Sequence, residues 1–188
     1  MDLSGSKIIL ASASPRRREL LSVITENFEV LPSNTEEYVP ENISAEETAE
    51  YLARIKALSV AENNKNQVVL GADTCVLADG KILGKPKTKA EATEMIRILS
   101  GKTHRVITGC AIALNDKILS FSSITEVEFY PLDDGEIEEY VNSPEPYDKA
   151  GSYAIQGNAS LFVKRIKGDY FNVVGLPIAE LNRKLKEF

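Results

Sequence analysis

One stretch near the start constrains this chain more than any other. An apolar triplet, Ile8-Ile9-Leu10, runs into Ala11-Ser12-Ala13-Ser14 and then into Pro15-Arg16-Arg17-Arg18, which opens a helical pattern over Pro15 to Ile24. Ser14 has the chemistry of an N-cap and Pro15 suits the first helical position. The turn therefore leaves backbone N–H groups pointing out of the helix start, where anions are attracted. Three arginines in the same first turn oppose the helix dipole, which favours acids there. Either a bound anion such as phosphate offsets them, or carboxylates of the surface do.

The chain length of 188 residues is that of one domain, residues 1–188, with room for two lobes. A composition of 43% hydrophobic and 27% charged residues excludes large-scale disorder. A net charge of −6 argues against a protein that coats nucleic acid, because such binding needs a broad basic surface, although a small basic pocket is compatible with it. Cys75 and Cys110 each sit in an apolar run without metal-ligand spacing, as reduced core cysteines would. With no signal-peptide pattern and no apolar run of membrane-spanning length, a cytoplasmic protein without membrane partners is expected.

Strand and helix signals alternate along the chain, which favours an α/β layered fold. A short strand from Phe28 to Leu31 leads into a polar loop with Glu36 and Glu37, adjacent acids that suit either a metal or a solvated loop. Ser44 and Glu47 have capping-box spacing for a helix whose apolar stripe runs through Ala45, Ala49, Leu52, Ala53, Ile55 and Val60. Lys56 falls within that stripe, so its ammonium must snorkel out or meet an acid, an unpaired buried charge being very costly. The strand from Gln67 to Ala72 ends in Asp73-Thr74, placing an acid at a strand's carboxyl end, where open α/β sheets hold ligands and where an ordinary turn cap is also common.

Cys75 to Leu83 reads as a hairpin around Asp79-Gly80 that brings Lys85 back toward Asp73. Thr88 and Glu91 cap a helix that stops at Gly101. Two long strands follow, Thr103 to Leu114 and Ile118 to Tyr130. The first contains His104, the chain's only histidine, too solitary for a zinc site or a hydrolase triad and better suited to a structural hydrogen bond. An acidic helix from Asp133 to Val141 precedes Pro144 to Tyr153, a segment rich in ionisable groups that reads as a binding loop. Leu161 to Ile166 and Tyr170 to Val174 read as strands, and Pro177 opens a final amphipathic helix.

An arginine-rich helix start, lysines at 56 and 85 and several loop acids suit a polyphosphate with a divalent metal. The run of motifs is far more specific. Ala11-Ser12-Ala13-Ser14-Pro15-Arg16-Arg17, Gly71-Ala72-Asp73-Thr74, Lys85-Pro86, Ser100-Gly101-Lys102-Thr103-His104, Glu145 to Gly151, Ile155-Gln156-Gly157 and Val174-Gly175-Leu176-Pro177 occur in order over nearly the whole chain. In this it resembles the Maf family of nucleoside triphosphate pyrophosphatases. Cys75, Gly109 and Asn158-Ala159-Ser160 depart from the usual residues without removing a charge.

The resemblance implies an elongated mixed sheet flanked by helices, with a cleft between two lobes, similar to inosine triphosphate pyrophosphatases. It implies metal-dependent hydrolysis, with Mg²⁺ or Mn²⁺, of a nucleoside triphosphate to the monophosphate and pyrophosphate. Carried over, its phosphate-binding positions fall on Ser12, Arg16, Arg17, Lys56 and Lys85, its general base on Asp73, and its acidic position near the metal on Glu37, beside Glu36, with Asp73 as the second ligand. Asp148-Lys149-Ala150-Gly151 followed by Ile155-Gln156-Gly157 resembles the group that hydrolyses dTTP and UTP, with Thr74, Lys149 and Gln156 on the substrate. The group acting on 7-methylguanosine triphosphate differs here. Modified pyrimidine or other non-standard nucleotides are alternative substrates, a non-enzymatic septum regulator is the alternative class, and a homodimer follows the family's habit.

Overall fold

The computed structural model describes residues 5–188. Its described residues contain a seven-stranded mixed sheet in the order β2-β1-β3-β5-β6-β7, with β4 paired to β3 outside that path. The strands are β1 (Ile8–Leu10), β2 (Phe28–Val30), β3 (Val68–Ala78), β4 (Lys81–Leu83), β5 (Thr103–Leu114), β6 (Lys117–Phe129) and β7 (Val163–Lys167). The helices are α1 (Pro15–Ile24), α2 (Thr48–Ala61), α3 (Lys89–Leu99), α4 (Asp134–Val141), α5 (Tyr170–Val174) and α6 (Ile178–Glu187). β1 runs parallel to β2 and β3, while β4 and β7 run antiparallel to β3 and β6.

Two compact units share these strands. The first comprises the chain through Asp73, Thr108–Ser123 and Gly175–Phe188; the second comprises Thr74–Ile107 and Ile124–Val174, so each is built from separated segments.

The core of the first unit is a face of small residues. Ala49, Ala53, Ala57 and Ala61 recur every fourth residue along α2 and are all buried, the last three in one cluster with Ile9, Val69, Ala111 and Ala113 of the strands and Ala11 just past β1. Ala57 belongs to the packed stripe, whereas Ala45 and Ile55 of the expected stripe are only partly buried. Two glycines allow the approach. A Cβ on Gly71 would lie 2.2 Å from the Ala53 carbonyl oxygen, and one on Gly109 would lie 2.3 Å from that of Ala49. At both points the helix backbone rests directly on the strand. The capping bonds between Ser44 and Glu47 form as the spacing predicts, but they close a turn ahead of α2, which begins at Thr48.

The second unit is built around interlocking rings. Phe129 packs edge-to-face against His104, Tyr153 and Phe162, and Tyr140 against Phe162. His104 is buried, and its Nε2 lies 2.7 Å from the Tyr153 hydroxyl, a structural hydrogen bond as the sequence suggests. Burial lowers its pKa from the ordinary 6.5 to about 4. Between those values the unfolded chain binds the extra proton and the folded chain does not, so stability is fully present above pH 6.5 and falls as the pH drops toward 4. The expected loss over that interval is about 3 kcal/mol from this one group. Urea midpoints at pH 7, 6, 5 and 4.5 check this. His104→Gln, which cannot titrate there, should show a slope against pH shallower by about one proton.

Four features differ from the sequence expectation. Asp73 does not end its strand: β3 runs on to Ala78, because Cys75–Ala78 is a buried apolar run that pairs with β4 across Asp79 and Gly80, both at positive φ as a tight hairpin requires. Tyr170–Val174, aromatic and β-branched in composition, is helix rather than strand. The Asp169 carboxylate accepts from Phe171 N at 2.8 Å, a local contact, and the buried Asn172 amide donates to Val106 O and Thr125 Oγ1, tertiary partners that override propensity. Residues Asn158–Phe162 form a 3₁₀ helix with Leu161 82% exposed, so the strand expected from Leu161 begins only at Val163. Pro177 stands at the N-cap of α6, one place ahead of its expected position.

Candidate active site

The arginine-bearing turn forms as the sequence predicts. β1 stops pairing with β3 at Leu10 and Leu70, and Ala11 N donates to Leu70 O at 2.8 Å before the chain turns away. Ser14 caps α1, its hydroxyl 3.4 Å from Arg17 N. The buried Ser12 hydroxyl accepts from Ser14 N at 3.3 Å and from Arg17 Nη1 at 3.2 Å. Arg17 Nε donates to Gly175 O at 2.9 Å, so its guanidinium is held from both sides. Burial lowers the Arg17 pKa, against the opposing fields of Asp73 and Glu37. Arg16, in the same turn, is partly buried and makes no side-chain hydrogen bond or ion pair among the described residues.

Asp73 is carried to the same place by strand geometry. Side chains two apart on a strand share a face, so Asp73 projects on the side where Gly71 admits α2. Lys56 of α2 meets it there, its Nζ 2.6 Å from Asp73 Oδ1 and 2.7 Å from Glu37 Oε1. The Lys56 and Asp73 side chains are only 13% and 14% exposed, whereas Glu37 is 58% exposed. Lys56 therefore does not snorkel; it is flanked by two acids. Glu37 owes its position to hydroxyls that the sequence reading missed. Ser33 Oγ bonds both Thr35 Oγ1 at 3.0 Å and Ser59 Oγ at 2.9 Å, pinning the loop to α2 one turn beyond Lys56. A cluster of small polar residues in a loop gives no advance sign of that tether.

In the first unit, then, Ser12, Arg17, Glu37, Lys56 and Asp73 come together. Thr74, Lys85, Lys149 and Gln156 belong to the second unit. Lys85 and Gln156 are exposed and make no side-chain hydrogen bond or ion pair among the described residues. Lys149 is 13% exposed and bonded within its own segment, to Glu145 O at 2.8 Å and to the Asp148 carboxylate. Cys75 and Cys110 are buried free thiols, and burial pushes Cys110 up to about 12.

Two carboxylates around one ammonium suit a divalent cation in their chemistry, since hard cations take oxygen ligands and Mg²⁺ commonly uses one or two carboxylates together with substrate phosphates. A closed cage is not built here: no group of three or more metal-ligating side chains occurs among the described residues. Nor is any described helix long and apolar enough to cross a membrane.

Known proteins show the same arrangement of sequence. The dTTP/UTP pyrophosphatase of Bacillus mycoides (strain KBAB4) is 56% identical over 182 residues, 97% of this chain and 95% of that protein. That of Bacillus anthracis (strain CDC 684 / NRRL 3495) is 54% identical over the same shares. Among solved structures, a HAM1 protein from Coxiella burnetii aligns with a TM-score of 0.55 at 16% identity, over 97% of this chain and all of that one, a likeness of fold. The model of the Maf-like protein family matches residues 7–188, from the first strand through the last helix. With every motif from the Ser12 turn to Gly175 inside that match, the chain belongs to the Maf-like protein family.

Proposed function

We propose that this chain is a nucleoside triphosphate pyrophosphatase that hydrolyses dTTP and UTP to the monophosphate and pyrophosphate. The observation that carries the reading is the shared ammonium of Lys56, shielded from solvent between Asp73 and Glu37, with the field of Arg17 on the same acids. A structural ion pair needs one acid. Two acids and two cations in one place give the separate functions that phosphoryl transfer requires, charge neutralisation and water activation.

In this mechanism Arg16 and Arg17 offer planar forks to phosphate oxygens, and Lys56 and Lys85 offer point charges. Ser12 holds Arg17 in place and its hydroxyl adds a phosphate contact. Asp73 accepts the proton of a water that attacks the α-phosphorus; the bond from that phosphorus to the α,β-bridging oxygen breaks, and pyrophosphate leaves with the electron pair. Lys56 keeps the Asp73 carboxylate aimed while this happens. Glu37 and Asp73 would hold Mg²⁺ or Mn²⁺, which when bound withdraws charge from the phosphate oxygens.

Recognition of the base is assigned to Thr74 and Gln156, with Lys149 supporting the loop. A uracil or thymine edge presents two carbonyl acceptors around one N–H donor, which an amide and neighbouring backbone groups can match. The 5-methyl group adds little discrimination, so both pyrimidines are accepted.

A panel of dTTP, UTP, ATP and GTP with Mg²⁺ or Mn²⁺, products separated by chromatography, tests the reading. Monophosphate and pyrophosphate in equal amounts are expected, fastest from dTTP and UTP. Orthophosphate as first product would overturn cleavage at the α-phosphorus, and equal kcat/KM for all four bases would overturn the pyrimidine assignment. Gln156→Ala should lower the preference for pyrimidines more than it lowers turnover.

A further inference from the structure

Glu145 belongs to the second unit, apart from the Asp73 cluster of the first, and its side chain is tied to three groups. Its carboxylate accepts from the Tyr140 hydroxyl at 3.2 Å, from Asn158 N at 2.8 Å and from Ala159 N at 3.3 Å. Its own carbonyl oxygen accepts from Lys149 Nζ at 2.8 Å, and its amide donates to Ser143 Oγ at 3.3 Å.

The two amides it receives are the first of the 3₁₀ helix Asn158–Phe162, whose N-cap position is Gly157, a residue with no side chain to offer. Glu145 thus caps that helix from a distance. Just ahead lies a tight turn, Gly157 N donating to Ala154 O at 3.1 Å, with Ile155 and Gln156 at its two corners. Ile155 is buried, Gln156 exposed. The backbone under Gln156 is therefore anchored on one side by a buried side chain and on the other by the Glu145 cap.

Gly157 supplies an independent sign that the carboxylate is built in. A Cβ there would lie 2.2 Å from Glu145 Oε1 and 2.4 Å from Cδ, although the backbone, at φ −103° and ψ −157°, is one that any residue adopts. Space for the carboxylate, and not backbone conformation, accounts for this glycine. The obstacle is the end of a side chain, so a methyl group would displace the carboxylate from its amides and leave the main chain free to stay.

We infer that Glu145 is a positioning residue for base recognition: by capping the Asn158–Phe162 helix it fixes the turn that presents Gln156. This rests on the reading of Gln156 as a base-recognising group. A purely structural Glu145 would support the aromatic core through Tyr140 and affect every nucleotide alike.

The experiment is steady-state kinetics with UTP and GTP on the full-length chain and its variants. Glu145→Ala should lower the UTP-to-GTP ratio of kcat/KM by about tenfold, mainly through a higher KM for UTP, with kcat within about twofold. Gly157→Ala should do the same. Glu145→Gln, which keeps one acceptor oxygen, should restore most of the ratio. Because Glu145 acts through Gln156, adding Glu145→Ala to Gln156→Ala should cost no further selectivity.

An equal loss of kcat/KM for both nucleotides in Glu145→Ala would overturn the inference, as would full additivity in the double variant. If Gln156→Ala itself left the ratio unchanged, the assignment of Gln156 would fail and the inference with it, a result visible in that single variant. If Glu145→Ala does not fold, Gly157→Ala and Glu145→Gln decide the matter.

Discussion

Asp73→Asn should lower turnover by roughly 10² to 10⁴ while leaving the fold and substrate affinity nearly intact. The amide keeps the size of the carboxylate and keeps an oxygen facing the Lys56 ammonium, which lies 2.6 Å from Oδ1 in the native chain. What it loses is basicity. The variant also removes one negative charge beside Lys56 and Arg17, so a triphosphate meets less competition for those cations and KM should hold or fall. Initial-rate kinetics with UTP, with thermal unfolding alongside, separate the two contributions. Near-normal turnover would move the base to Glu36, Glu37 or Asp148.

Gly71→Ala and Gly109→Ala should each destabilise the chain by about 1 to 3 kcal/mol, at the severe end for overpacking. In both cases the new methyl group meets main chain: the Ala53 carbonyl at 2.2 Å and the Ala57 nitrogen at 2.8 Å for Gly71, the Ala49 carbonyl at 2.3 Å for Gly109. Neither obstacle can rotate away, so α2 has to lift. Lys56 lifts with it, and the Gly71 variant in particular should lose activity beyond its loss of folded protein, since Asp73 sits two residues further along the same face. Urea unfolding midpoints and activity per folded molecule measure the two effects. Native-like stability in Gly71→Ala would mean that the helix does not lie this close to the strand.

Charges were easier to read in the sequence than the contacts that place them. Lys56 stood out because a cation in an apolar stripe demands a partner, and periodicity alone showed the demand. Which acids answer it depends on the glycine-to-alanine approach of α2 and on the Ser33, Thr35 and Ser59 hydroxyls, tertiary facts that leave no periodic trace. The Ser14 cap and the helix from Pro15 to Ile24 were legible to the residue because capping is local chemistry. Tyr170–Val174 was misread because its helix is secured by Asn172 reaching Val106 and Thr125, far away in sequence. Asp73, expected at a strand end, lies inside β3: the pairing with β1 stops at Leu70, but β3 continues to Ala78, and the apolar run that prolongs it is visible in the sequence only as a hairpin arm.

The segmented make-up of the first unit bears on how the chain comes into being. Residues 74–107 and 124–174 supply the whole second unit, and all of them precede Gly175–Phe188, the last piece of the first. Gly175 carries the carbonyl that holds Arg17, and α6 packs against α1. During synthesis from the N-terminus, the second unit thus has its full complement of residues while the first still waits for its closing segment. A chain released from the ribosome before residue 175 would carry Arg16, Arg17, Lys56 and Asp73 without the carbonyl that holds one side of the Arg17 guanidinium, so early termination yields a polypeptide that has every charged group of the first unit's cluster and one hold fewer on its arginine.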